Sequence, residues 1–400
     1  MSAVEISIDA RVDPPAITLS EQEASLTLSL DITARHEGAD RAPLVLAVIP
    51  VCAHPDGPLK AHLGQAIAGL ITHLGDEDVI LGEGGRSLTV DADPEGMAWS
   101  SPQPTITKGL EAGYEALKSF AGVPVARRVT LVVSGMTHEG GEALTRAATQ
   151  LSQANIGIDV LVVSMSSDLG LLNRLANLGG GALMVATELN ELSAPLARRL
   201  PALQGQRVLN PKLELSFPHG VQPGDMFRLA PTRAFLGAVR VSHTERRLML
   251  DPGPMGDQST PRFLMTMVIP RRVAGMYRVC TAKLSWSDQG RASEVEHEIV
   301  VSVDQPGQQR LMAQSPLVIA RDRVELLSWV EDMGRAQADG EHRRVSNLLE
   351  RLTRRLNELS EIMLAEQVGG IRRAYLRSGS LNMVELNQMR HAMLSVNRVG

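Results

Sequence analysis

Three side chains that could bind zinc or attack a substrate follow two apolar runs of the sequence. Cys52 and His54 come after the first of these runs, and His138 follows the run that ends at Val133. Parallel strands of an open α/β sheet end at one edge, where such sheets bind ligands, so these loops should emerge together. A thiolate and two imidazoles could hold a zinc ion, and a Cys-His pair could act as a nucleophile.

The alternative interpretation treats these three side chains as polar loop residues with no common task. No closely spaced ligand pair, such as Cys-x-x-Cys or His-x-x-x-His, supports a metal. Cys52 and Cys280 are the only cysteines, which is too few for a disulfide framework or a thiolate cluster. We therefore favour the second interpretation and predict no catalytic residue and no cofactor.

The charge and hydrophobicity of the sequence limit the kinds of partner that the protein can bind. The formal net charge is -5, with 40 Lys and Arg against 45 Asp and Glu, so a general polyanion binder is not expected. The Arg-rich last part of the chain contains nearly as many acidic residues, which argues against a nucleic-acid-binding tail. The sequence shows no leader-like start and no apolar run near the roughly 20 residues that span a bilayer. We expect a cytoplasmic protein with protein partners.

The elements that must position these residues follow from hydrophobic periodicity. Apolar residues alternate with polar ones over 4–32, which predicts half-buried antiparallel strands. A continuous apolar run at 44–49 instead predicts a strand that is buried on both faces. Helix-period and strand-like segments then alternate up to about residue 185, and this order predicts a doubly wound, Rossmann-like α/β domain.

Alternating strand texture returns after residue 200, and the chain becomes helical from about residue 317. The predicted strands after residue 200 are too many to belong to the α/β sheet. We therefore predict that they form an antiparallel β-sandwich together with the N-terminal strands. Two amphipathic stripes separated by the turn Asp339-Gly340, and a third helix over 382–396, predict a helical bundle. The predicted boundaries are 1–42 for the N-terminal strands, 43–203 for the α/β domain, 204–306 for the sandwich and 315–400 for the helical domain.

Three segments carry a family resemblance by their order and spacing. They are the strand-like Arg128-Val129-Thr130-Leu131-Val132-Val133-Ser134-Gly135, the segment 106–117, and Leu178-Gly179-Gly180-Gly181-Ala182. In these segments the chain resembles bacterial von Willebrand factor A (vWA) proteins, specifically those in which an antiparallel sandwich flanks the A domain. The resemblance implies the same three-part fold: a vWA-type α/β domain, the sandwich and C-terminal helices.

The resemblance also implies a metal site, and this sequence departs from it. Family members hold a divalent cation with an Asp-x-Ser-x-Ser motif, a Thr and an Asp, and a hard cation such as Mg²⁺ requires about six oxygen ligands. The corresponding positions are Ala47, Ile49, Val51, Pro104 and Ser134. Because no carboxylate is left among them, we predict a degenerate site that binds no metal. A replacement site would have to use Cys52, His54, Asp56 and His138.

The sequence therefore predicts a non-catalytic scaffold or adaptor for protein-protein interaction. The family resemblance implies partners such as a MoxR-type AAA+ ATPase, or the phosphatases and kinases of regulatory and defence systems. Two alternatives stay open at this point. One is a metal-dependent ligand-binding or hydrolytic module at the sheet edge, and the other is a self-assembling structural protein. The sequence does not set the oligomeric state.

Overall fold

The computed structural model describes most of the chain and gives the bounds of its elements. The described residues are 4–18, 23–36, 42–52, 57–88, 103–135, 141–163, 169–230, 233–239, 241–242, 244–253, 255–256, 260–288, 291–304 and 316–395.

Seventeen strands are defined in these residues. In chain order they are β1 (Val4–Asp13), β2 (Ala16–Thr18), β3 (Ala24–His36), β4 (Leu44–Cys52), β5 (Val79–Leu81), β6 (Ser87–Leu88), β7 (Ala126–Ser134), β8 (Gly157–Val163), β9 (Leu183–Ala186), β10 (Gln206–Ser216), β11 (Gln222–Ala230), β12 (Ala234–Ala238), β13 (Arg247–Leu250), β14 (Met255–Gly256), β15 (Arg262–Ile269), β16 (Gly275–Asp288) and β17 (Arg291–Asp304).

Nine α-helices are defined in the same residues. They are α1 (Gly57–Ile71), α2 (Ile106–Leu117), α3 (Gly141–Gln153), α4 (Leu169–Leu178), α5 (Ser193–Gln204), α6 (Pro316–Ala338), α7 (His342–Glu358), α8 (Ile362–Ser378) and α9 (Met383–Ser395).

The central sheet has the strand order β6-β5-β4-β7-β8-β9 and is parallel except for its edge hairpin β5-β6. One apolar cluster joins one face of this sheet to α2, α3 and α4, and a second joins the other face to α1 and α5. Helices on both faces explain why β4 and β8 are apolar along their whole length. The prediction of a doubly wound α/β domain is confirmed.

Two antiparallel sheets form the sandwich. One has the order β1-β3-β15-β11-β12 and the other β13-β10-β16-β17-β2, with β14 paired to β10. Strands β1 and β3 pair over ten residues, and β3 also pairs with β15, so the segment before the α/β domain completes a sheet whose other strands come after it. The predicted sandwich of N-terminal and later strands is therefore confirmed as a fold class.

Four helices form the C-terminal bundle, whereas the sequence predicted three. The turn at Asp339-Gly340 is present, and Gly340 adopts the left-handed conformation that a turn between antiparallel helices needs. The second of the two amphipathic stripes runs from Val345 to Met363 in the sequence and predicts one helix. The chain instead breaks at Ser360, which has a φ of 60°, and α8 starts at Ile362. The helix α8 was missed because an apolar stripe that continues across a short turn resembles one longer helix.

The bundle packs on the sandwich. Phe227 of β11 and Leu264 of β15 are buried in the same apolar cluster as the bundle residues Val330 and Leu349.

Within the described residues, no helix is long and apolar enough to span a membrane.

Candidate functional site

The candidate site residues that were predicted from the sequence belong to the carboxyl edge of the central sheet. Strand β4 ends at Cys52, which is opposite Ser134 at the end of β7, and Ser134 in turn is opposite Val163 of β8. All nine residues of β4 are buried. The centre of this edge therefore consists of the ends of three neighbouring parallel strands, with the N-terminus of α2 beside them.

Val51 fills the end of β4 with hydrocarbon. Its side chain is fully buried and belongs to the apolar cluster beneath α2. A Cβ atom added at Gly109 would lie 2.7 Å from Cγ2 of Val51 and 3.2 Å from Cδ2 of Leu131. The absence of a side chain at Gly109 thus lets α2 approach the strand closely. Methyl groups occupy this contact, and they cannot ligate a cation.

Backbone hydrogen bonds connect the end of β4 to the segment before α2. The amide of Cys52 donates to the carbonyl of Gln103 at 2.9 Å, and the amide of Gln103 donates to the carbonyl of Pro50 at 2.9 Å. Two residues later, Thr105 caps α2, and its Oγ1 accepts a hydrogen bond from the amide of Lys108 at 3.2 Å. The hydroxyl of Thr105 therefore has a structural role at the helix N-terminus.

The structure brings some of the predicted site residues to this edge and leaves others away from it. Val51, Ser134 and Pro104 lie at or beside the strand ends, and Pro104 is exposed. Ile49 points into the same cluster as Val51. Ala47 lies near the middle of β4, four residues and so about 13 Å before Val51.

The proposed replacement ligands are only partly described. The Cys52 side chain is buried in the apolar cluster on the α1 face of the sheet. His54, Asp56 and His138 lie outside the described residues. Among the residues that the structure does describe, no group of three or more His, Cys, Asp or Glu side chains could hold a metal.

The opposite, amino edge of the sheet contains a buried ionic cluster that sequence reasoning missed. Asp159 of β8 accepts hydrogen bonds from Arg128 of β7, with Nε at 3.0 Å and Nη2 at 2.6 Å. Its other carboxylate oxygen accepts from Nε of Arg199 at 3.0 Å and from the amide of Ala182 at 2.8 Å. The side chains of Arg128 and Asp159 are fully buried. One carboxylate thus joins two strands, α5 and the turn before β9.

Glycines make room for this cluster. A Cβ at Gly157 would lie 2.0 Å from Nη1 of Arg128, and one at Gly181 would lie 2.6 Å from Nη2. Burial alone raises the pKa of Asp159, but the two guanidinium groups and the hydrogen bonds more than compensate and hold that pKa below its usual value. The cluster is therefore a structural ion pair in which the carboxylate stays charged.

A cavity of about 170 Å³ lies where the α/β domain, the sandwich and the bundle meet. The described residues that line it are Asn173, Arg174, Asn177, Leu178, Phe235, Leu236 and Glu331. Arg174 and the nearly buried Glu331 form an ion pair at 3.9 Å across the joint. The described lining combines the apolar side chains of Leu178, Phe235 and Leu236 with the two asparagines and this ion pair.

Comparison with known proteins was informative for the fold alone. No family model matches the chain, and no curated protein matches its sequence. Among solved structures, "von Willebrand factor type A from Catenulispora acidiphila" superimposes with a TM-score of 0.76 at 13% identity, covering 98% of this chain and 97% of that one. The ArnB paralog VWA2 from Sulfolobus acidocaldarius gives a TM-score of 0.52 at 11% identity, covering 99% and 100%. The chain therefore has the fold of a vWA-domain protein over its whole length.

Proposed function

We propose that this vWA-type chain is a non-catalytic scaffold or adaptor, which binds another protein at the carboxyl edge of its central sheet without using a metal ion. The observation that carries the proposal is the contact of Val51 with Gly109. In this contact the methyl groups of Val51 lie at the end of β4, where the family resemblance implies an oxygen ligand for a cation.

The surroundings of Val51 support recognition by shape and polar contacts. Ile49 and Val51 are fully buried, and each is an apolar residue at a position where a cation would need an oxygen. The exposed or half-buried groups beside them are Pro104, the capped N-terminus of α2 with Lys108, and Ser134. Among the described residues, this surface has hydrogen-bonding groups and the cation of Lys108, which suits a protein partner with acidic or polar side chains.

The class of partner is a proposal that comes from resemblance. The vWA proteins that this sequence resembles operate beside MoxR-type AAA+ ATPases, or with phosphatases and kinases in regulatory and defence systems. We propose a partner of one of these kinds.

The experiment that tests the proposal is affinity purification of the tagged full chain from its native cells, in parallel buffers that contain EDTA or Mg²⁺. We expect one stoichiometric partner to be recovered equally in both buffers. Two variants at the edge, Pro104→Arg and Lys108→Glu, should lose it.

The matched control uses the other end of the same helical segment. Lys118 resembles Lys108 in exposure and in its ion pair with a glutamate three residues away, Glu115 in place of Glu111. Lys118→Glu should therefore keep the partner. Recovery of the chain alone in every buffer would contradict the adaptor proposal. A partner that is lost only in EDTA would instead support the metal-dependent alternative.

A further inference from the structure

The outward face of α8 in the helical bundle is unusually apolar for a solvent-exposed helix. Ile362, Met363 and Leu376 have exposed fractions of 62%, 79% and 63%. Helical spacing places Ile362, Glu366, Gly369, Arg373 and Leu376 on one stripe, because successive intervals of four and three residues keep a helical face in register. Apolar side chains thus stand at both ends of this stripe.

The middle of the stripe has no side chain at all. Gly370 would meet nothing within 4 Å if it carried a Cβ, and Gly369 would meet only Nη1 of Arg373, at 3.8 Å. A glycine inside a helix destabilises that helix relative to alanine. Packing within the described part of this chain does not require either of them. A pair of glycines on an open face does, however, let a second helix approach closely.

The charges along the stripe have opposite signs on the two sides of the glycines. Glu366 lies on the N-terminal side, and Arg373 and Arg377 lie on the C-terminal side. All three are exposed, and no ion pair joins Glu366 or Arg373 to another described residue.

We propose that α8 is the contact surface of a homodimer, in which it pairs antiparallel with α8 of a second copy about a two-fold axis at Gly369-Gly370. Such an axis places Glu366 of each copy opposite Arg373 of the other. It also brings Ile362 of each copy close to Leu376 of the other, and the two glycine pairs meet at the axis. One helix therefore carries both halves of a complementary interface, as an isologous dimer requires.

The size of the contact sets the expected strength. A helix of 17 residues is about 25 Å long, so a single helix pair belongs to the small interface class, below roughly 1,200 Å² in total. We therefore expect a reversible dimer whose population changes with protein concentration. A second copy is favoured over an unrelated protein because the charge order reverses about the glycine pair, which is the symmetry that self-association uses.

Sedimentation equilibrium of the full chain over a wide concentration range tests the proposal. The wild type should show a monomer-dimer equilibrium. Glu366→Arg and Arg373→Glu each place like charges opposite one another and should weaken the dimer at least tenfold. The double variant restores opposite charges across the axis and should recover most of the affinity. Arg343→Glu, a charge reversal at an exposed position of α7, should leave the equilibrium unchanged.

A second pair of measurements separates self-association from folding. Gly369→Ala combined with Gly370→Ala should raise the thermal midpoint of the monomer, since alanine favours the helix, and should also weaken the dimer because the methyl groups keep the helices apart. A wild type that stays monomeric at every concentration would overturn the proposal. So would a dimer that neither the single charge reversals nor the alanines weaken.

Discussion

The side chain of Val51 occupies the space that a side chain on Gly109 would need, since Cγ2 of Val51 would be 2.7 Å from the missing Cβ. Residues 51 and 109 are thus fitted to each other across the helix-strand contact that closes the sheet edge. An oxygen ligand at the end of β4 would have to replace this packing.

Gly109→Ala should destabilise the protein by about 1–3 kcal/mol, because the added methyl overpacks a contact that is already tight. The gain in helix propensity from alanine, about 1 kcal/mol, is too small to offset it fully. Val51→Ala alone should also destabilise by creating a cavity. The double variant should lose less than the sum of the two, as measured by urea unfolding. Strict additivity would mean that residues 51 and 109 do not share this contact.

Ile49→Asp tests whether anything of a metal site is left beside Val51. Burying a carboxylate at a fully apolar position should lower the free energy of unfolding by at least about 3 kcal/mol unless a cation pairs with it. We expect millimolar Mg²⁺ or Mn²⁺ to leave the thermal midpoint of this variant unchanged. Ser134→Asp, at the half-buried end of β7, is the control for a carboxylate closer to solvent. Rescue of Ile49→Asp by either metal would show that a working ligand set remains.

Asp159→Asn should cost about 3–5 kcal/mol at neutral pH, because it leaves the buried guanidinium of Arg128 and the partly buried one of Arg199 without their counter-charge. The same substitution at an exposed ion pair, Glu298→Gln beside Arg278, should cost no more than about 1 kcal/mol. Equilibrium unfolding of the two variants under identical conditions provides the comparison. Similar small losses would mean that the buried cluster contributes little.

The pH dependence of the Asp159 contribution has a defined sign. Its pKa is lower in the folded protein than the usual value near 4, so the folded state favours the carboxylate. The stabilisation is therefore complete above about pH 4 and is lost as the pH falls through the folded pKa. As the pH falls below about 4, the difference in unfolding free energy between the wild type and Asp159→Asn should therefore shrink. A constant difference down to the acid transition would contradict this assignment.

Hydrophobic periodicity predicted the fold class well wherever a strand or helix kept a single hydrophobic pattern along its whole length. The apolar run at 44–49 indicated a strand covered on both faces, and the alternation in 4–32 indicated strands of a sandwich. The ionic cluster was missed because Arg128 stands next to Arg127 at the start of β7, Asp159 is one charge in the apolar β8, and nothing in one sequence tells which strands are neighbours. A charged residue inside a strand that is otherwise apolar was the available signal, since such a charge requires a buried partner.

The site was harder to place than the fold. The resemblance places one ligand position at Ala47, and the structure puts Ala47 inside β4, which continues to Cys52. The assignment of the ligand positions stays a prediction. The domain boundaries at 42, 203 and 306 stay predictions. The helix α8 shows the remaining difficulty: its break from α7 depends on one residue, Ser360, whose positive φ no hydrophobic pattern reveals.

Arg228 connects the sandwich to the α/β domain and leads to a final prediction. It is almost fully buried, its Nη1 donates to Oδ1 of Asn177 at 3.3 Å, and its Nη2 donates to the carbonyl of Asp251 at 3.0 Å. Burial lowers the pKa of its guanidinium to about 10, and the group also lies over the ring of Phe263.

Arg228→Met keeps the aliphatic stem and removes the charge, whereas Arg228→Ala removes both. We expect the alanine variant to be less stable than the methionine variant by about 2 kcal/mol or more, because a cavity adds to the lost hydrogen bonds. Urea unfolding of the two variants measures the difference. If both lose the same amount, the hydrogen bonds to Asn177 and Asp251 hold the joint and the packing of the stem contributes little.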